Sequence, residues 1–309
     1  MNSLSRPRFG TLARLALPSG LVLVLAAGTV AGATSGDRSE PVADDVPAVR
    51  LLNEGWPSAV ADSGLARDLS LPLEKYLPSY REMVAVDTAR REVEKDCMTG
   101  LGLAWTPPVL FVDPSFSYNA MNTPRRYGIT IASEAKQHGY DLPLPSSFSS
   151  GEEATPTDVE AAVLKGHDAA GKPVAEVAGI DVPDGGCRGV SAEDVGDLGD
   201  SLAGELAGQS LNTSEAHPDV VAAVAAWSAC MADQGYETDH PYNAANITTA
   251  STQEVAVADI GCKESTDLVG IWYRVESEIQ QDLIAEHRTA LEQEAQHNVA
   301  VVAAAEAIE

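Results

Sequence analysis

Three stretches of this chain carry apolar positions at helical spacing. Met83, Val86, Val93 and Cys97, with Arg90 among them, fall on one stripe, three or four residues apart. That spacing predicts a helix within 71–99, entered through Pro72 and Pro78 and stopped by Gly100 and Gly102. A second helix is led in by Ala216-His217-Pro218-Asp219, carries Val220, Val221, Val224, Trp227, Ala229 and Cys230, and ends at Gly235. From Thr252 to Ala307 the stripe of Val255, Ala258, Cys262, Leu268, Trp272, Val275, Ile279, Leu283 and Leu291 predicts one long helix or two in line. Ser251, Thr252 and Glu254 form its start signal. Gly261 and Gly270 each cost ~1 kcal/mol against Ala inside a helix, so either marks close packing or a kink. The acidic and Gln-rich positions from Glu276 to Glu294 read as the solvated face.

Between these stretches the periodicity fades. Pro107-Pro108, Asp113-Pro114, Asn122-Thr123-Pro124 and Leu142-Pro143-Leu144-Pro145 punctuate 103–148 as loop. Val109-Leu110-Phe111-Val112 reads as a short strand. Ile129 to His138 reads as a short helix with Thr130 as its N-cap, and Asp158–Leu164 as another. Cys187 opens a further helical region, with Ser191 and Asp194 as a loose capping box.

The cysteines change the picture most. Cys97-Met98 is followed by Gly186-Cys187-Arg188, and Cys230-Met231 by Gly261-Cys262-Lys263. Four cysteines allow three pairings. The repeated figure, a Cys-Met ending a helix and a later Gly-Cys-Arg/Lys, selects Cys97–Cys187 and Cys230–Cys262. The expected fold is mainly α: a disulfide-stapled helical domain with long Pro/Gly-rich loops and a long C-terminal helix. The repetition allows two related halves, about 67–210 and 211–309. There is no Cys-x-x-Cys and no zinc-finger spacing, so the cysteines read as structural rather than redox-active or metal-ligating.

The N-terminus reads as an export signal. Arg6, Arg8 and Arg14 precede a mostly apolar run from Leu15 to Val30, and Ala31-Gly32-Ala33 is a small-x-small cleavage site. The expected organisation is a Sec-type signal peptide at 1–33, a flexible linker at 34–66 and a helical extracytoplasmic domain at 67–309. An uncleaved N-terminal anchor is the rival, with no stable membrane insertion expected once the signal is cleaved. Removing 1–33 takes away three arginines and no acid, so the charge goes from −26 to −29. That field repels nucleic acid and anionic surfaces. Aromatics are only 5% of the chain, so its core leans on Ala, Val and Leu.

Chemistry-bearing motifs are sparse. Ser133-Glu134-Ala135-Lys136 matches Ser-x-x-Lys but lacks the companion motifs of that chemistry. Asp194, Asp197 and Asp200 are three apart without the order of a calcium loop. The six histidines are scattered and include no His-Glu-x-x-His. No cofactor and no metal site is expected. Arg125-Arg126-Tyr127-Gly128 is a strong basic spot in an acidic chain. It reads either as an anion-binding loop or as an internal partner for the many carboxylates.

Leu71-Pro72-Leu73-Glu74-Lys75-Tyr76-Leu77, Cys97-Met98, Arg125-Arg126-Tyr127-Gly128, Gly185-Gly186-Cys187, Cys230-Met231 and Ala256 through Lys263, continuing into Thr266 to Trp272, resemble a group of secreted proteins of high-GC actinobacteria without an established activity. The resemblance covers most of 70–295. It implies a secreted or cell-envelope accessory protein and carries over no catalytic residue. The expected function is non-enzymatic binding of an envelope protein or small ligand, with Arg125, Arg126, Tyr127 and Trp272 as contact residues. The alternative is an extracytoplasmic hydrolase with dispersed residues, for which Ser133, Asp239 and His240 are the candidates.

Overall fold

A computed structural model describes residues 49–51, 56, 58–108, 110–112, 121, 123–142, 155–198 and 201–308. All belong to one compact unit, Asp45–Glu309. The expected signal peptide, most of the expected linker, Val109 of the expected strand, the proline-marked positions 113–114 and 143–145, and Asp200 lie outside the described residues.

Local signals start most of the helices. Ser79 and Glu82 form a capping box at the head of α1 (Tyr80–Gly100). After the short α2 (Thr123–Arg126) and α3 (Ala132–His138), Thr157 and Glu160 cap α4 (Asp158–Lys165) in the same way. Then follow α5 (Gly186–Asp194), α6 (Leu202–Glu215) and α7 (Pro218–Asp233). Ser251 and Glu254 cap α8 (Thr252–Ser265), which leads to α9 (Leu268–Glu306). Among the described residues, strand is confined to a parallel pair, β1 (Val49–Leu51) with β2 (Leu110–Val112), and a two-residue hairpin, β3 (Glu176–Val177) with β4 (Ile180–Asp181). The chain is therefore mainly α, with a long C-terminal helix.

At 39 residues α9 runs about 58 Å. It is the spine: α1, α6 and α7 all pack on it. The largest core cluster gathers Trp227, Met231, Val255, Leu268, Trp272 and Tyr127. A second holds Leu71, Leu73, Leu206, Ile284 and Leu291, and a third, around Met98, Leu164 and Cys187, lies where α1, α4 and α5 meet. Packing begins before the expected boundary at 67. Ala61 and Ala66 are buried in the main cluster, and the Leu65 amide donates to the Thr130 carbonyl at 3.1 Å.

Both disulfides form as the repeated figure predicts. Cys97–Cys187 joins α1 to α5 and Cys230–Cys262 joins α7 to α8, each with Cα atoms 5.6 Å apart. The two glycines of the figure differ. Gly186 has φ +66°, and a Cβ there would lie 2.2 Å from the Val163 carbonyl oxygen, so only glycine lets α5 start against α4. A Cβ on Gly261 would meet nothing within 4 Å. The break in the C-terminal region falls at neither expected glycine. It falls at Thr266–Asp267, where Asp267 adopts φ +50°.

Three local expectations change. Thr130 does not cap α3: its hydroxyl donates to the Pro124 carbonyl, and the helix starts after Ile131. Ser191 and Asp194 end α5 rather than start a helix, because α5 already begins at Gly186. Helix α6 has only a faint apolar stripe, yet Ala203, Leu206, Ala207, Ser210 and Ser214 are all buried. Its small side chains bring it close to α9.

Candidate functional site

The basic residue of each Gly-Cys-Arg/Lys figure follows a buried cysteine, and each meets a carboxylate. In α8 the pair is closed. Lys263 and Asp259 are fully buried, 3.0 Å apart, one turn from each other. Trp227 Nε1–H donates to Asp259 at 2.9 Å, the Tyr140 hydroxyl donates at 3.1 Å, and Lys263 also donates to the Ile129 carbonyl. Burial pushes the Asp259 carboxyl up and the Lys263 ammonium down, each opposed by the other's charge. Every polar atom of the pair is satisfied, which marks it as a structural clamp. Replacing Lys263 with Met is expected to cost ~3–5 kcal/mol in chemical denaturation, because it strands a carboxylate in the core. The double variant Lys263→Met/Asp259→Leu should recover a large part of that loss.

A second buried network takes in two of the α9 positions expected to be solvated, while others of that run, such as Asp282, Glu286 and Glu292, are exposed as expected. Glu276 and Gln280 are 0% exposed. Arg126 Nε donates to both Glu276 oxygens, at 3.0 and 2.9 Å, and its Nη2 pairs with the same carboxylate. Tyr127 and Ser210 hydroxyls donate to Glu276 at 2.8 and 2.7 Å. Gln280 donates to Ser210 and accepts the Leu73 amide at 3.0 Å. The Arg125-Arg126 motif thus takes the internal role of its two readings: Arg126 pairs with Glu276, and half-buried Arg125 faces Glu134 at 3.5 Å. Tyr127 and Trp272 are buried, 5.3 Å apart, and Trp272 Nε1–H donates to Ser214. Three of the four expected contact residues are therefore core. The outer edge of this cluster is Tyr242, 43% exposed, whose hydroxyl donates to the Arg126 carbonyl and whose ring meets His240.

No hydrogen bond among the described residues joins Ser133, Asp239 and His240. Asp239 accepts from Asn243 at 2.9 Å, His240 Nδ1 accepts the Tyr242 amide, and Ser133 is exposed on α3. Among the described residues no group of three His, Cys, Asp or Glu is placed to hold a metal ion.

The first figure is open where the second is closed. Asp87, Arg90, Arg91 and Glu94 share one face of α1 at spacings of three, four and seven. Arg188 on α5 faces them, with Trp105 and Pro108 from the segment after α1. Together they line a cavity of about 320 Å³. The disulfide sets this geometry. Cys97 follows Glu94 by three residues and Cys187 directly precedes Arg188, so the bond that pins α5 to α1 also faces the two side chains. Arg91 is held by Asp87 at 2.9 Å and by the Pro108 carbonyl at 2.7 Å, which ties the Trp105–Pro108 wall to the helix. Arg90 lies 3.6 Å from Asp197 and Arg188 4.0 Å from Glu94. Burial raises the Glu94 carboxyl above its ordinary range, against the opposing pull of Arg188, Arg90, Ser191 and Arg91.

Two other cavities are more open and carry fewer converging charges. One of about 360 Å³ is lined by Glu237, Thr238, Asp239 and Asn243, and one of about 500 Å³ by Lys136, Tyr236 and Gln253. In sequence the α1/α5 pocket was legible only as the spacing 87, 90, 91 and 94, which by itself describes any polar helix face. Comparison with protein-family models, curated proteins and solved structures finds no match to this chain.

Proposed function

We propose that the chain is a secreted or cell-envelope accessory protein that acts by binding, without catalysis, and that its site is the α1/α5 pocket. The observation that carries this reading is the convergence of three guanidiniums and a tryptophan on one cavity in a chain of net charge −26. The well-buried Arg126 and Lys263 are locked in internal pairs, whereas Arg90 and Arg188 have only longer approaches to carboxylates. Two disulfides fit an oxidising compartment. Among the described residues no helix is long and apolar enough to cross a membrane.

Cell fractionation with N-terminal sequencing tests the location. The expected product is extracytoplasmic, begins near Thr34 and contains no free thiol. Recovery in the cytosol with four reduced cysteines would refute the export part of the reading.

A further inference from the structure

We infer that the α1/α5 pocket takes a small monocarboxylate with a flat apolar body, its carboxylate on Arg188 and Arg90 and its body against Trp105 and Pro108. This rests on the reading of the chain as a binding protein and names its ligand class. Neither Arg90 nor Arg188 makes a side-chain hydrogen bond to the described residues, and their nearest carboxylates lie 3.6 and 4.0 Å away. Those separations exceed the 2.7–2.9 Å of a formed charge-assisted bond, roughly, so donors remain for a ligand. Guanidinium geometry matches a carboxylate bidentately.

Charge selects the anion. The lining carries three guanidiniums against Asp87 and Glu94, and Asp197 stands beside it 3.6 Å from Arg90, so charge at the site is close to balanced. A monoanion meets less repulsion there than a dianion, which faces these carboxylates inside a strongly acidic protein. Size and surface select the body. About 320 Å³ lies at the small end for ligand pockets, and half-buried Trp105 offers a flat apolar wall braced from behind by the Met98–Leu164–Cys187 cluster. Glu94 is the competitor. Arg188, Arg90, Arg91 and Ser191 all face it, and a proton on its carboxyl leaves the guanidiniums less neutralised.

Calorimetric titration of the oxidised protein with benzoate, benzamide and inorganic phosphate tests this. Benzoate should bind, with neutral benzamide and phosphate each at least tenfold weaker. Arg188→Gln should weaken benzoate at least tenfold with an unchanged melting temperature, since the Arg188 side chain is 55% exposed. Trp105→Leu should weaken it severalfold. Glu94→Gln should tighten it. Equal binding of benzamide, or benzoate binding insensitive to Arg188→Gln, would overturn the inference. Phosphate preferred in an Arg188-dependent way would overturn the ligand class and leave the pocket as a binding site. No binding of any probe would overturn the inference, while the fractionation result stands or falls separately.

Discussion

Reduction of both disulfides is expected to abolish cooperative folding near physiological temperature. In the loop-entropy description, closing separations of 90 and 32 residues stabilises by up to ~4.6 and ~3.7 kcal/mol. Together these approach the whole net stability of an ordinary domain, ~5–15 kcal/mol. The low aromatic content makes the staples matter more, because a core rich in Ala and Val buries less apolar area per residue. Near-UV circular dichroism during thermal melts, with and without reductant, measures the effect. The paired variants Cys97→Ser/Cys187→Ser and Cys230→Ser/Cys262→Ser separate the two bonds. The first should be the more destabilised and should also lose the α1/α5 pocket. A melting temperature unmoved by reduction would show that helix packing on α9 suffices alone.

Glu276→Gln is expected to destabilise the fold by ~3–5 kcal/mol, or roughly 6–20 °C in melting temperature for a domain of this size. The side chain keeps its shape but loses its charge. Arg126, 7% exposed, then loses the carboxylate that balances its charge in the core. Tyr127, Ser210 and Gln280 also donate to this carboxylate, so an amide in its place must leave donors facing donors. Replacing the pair together, Arg126→Met with Glu276→Leu, should cost far less, since apolar side chains of similar volume need no partner. If the single substitution proved neutral, the network would contribute no net stability and its role would lie elsewhere.

The C-terminal segment shows what can be read from a chain and what cannot. Its apolar stripe announced a helix, and Ser251 with Glu254 announced where it starts. Both are local effects: spacing of side chains, and a cap within three residues. Glu276 and Gln280 also looked local, as part of a polar face, and were read as solvated. They are buried because α6 and the Arg126 turn cover that face of α9, bringing a guanidinium 150 residues away in sequence to the carboxylate. Periodicity records polarity and says nothing about a polar partner. Helix α6 was missed for a related reason. Ala203, Ala207, Ser210 and Ser214 form a stripe of small residues at helical spacing, a signal visible in the sequence but carried by close approach rather than hydrophobicity.

Apolar spacing announced the helical class, and the doubled Cys-Met…Gly-Cys figure selected both cysteine pairings, because each half repeats the same helix-end cysteine and later Gly-Cys. Tertiary structure alone decided what the two figures became. Around Lys263, the Trp227 and Tyr140 donors close over Asp259 and exclude water. Around Arg188, the Trp105–Pro108 wall stands off from α1 and leaves a cavity. The same short motif yields a buried clamp in one place and an open, arginine-lined cavity in the other, because burial is set by whatever long-range element packs above it.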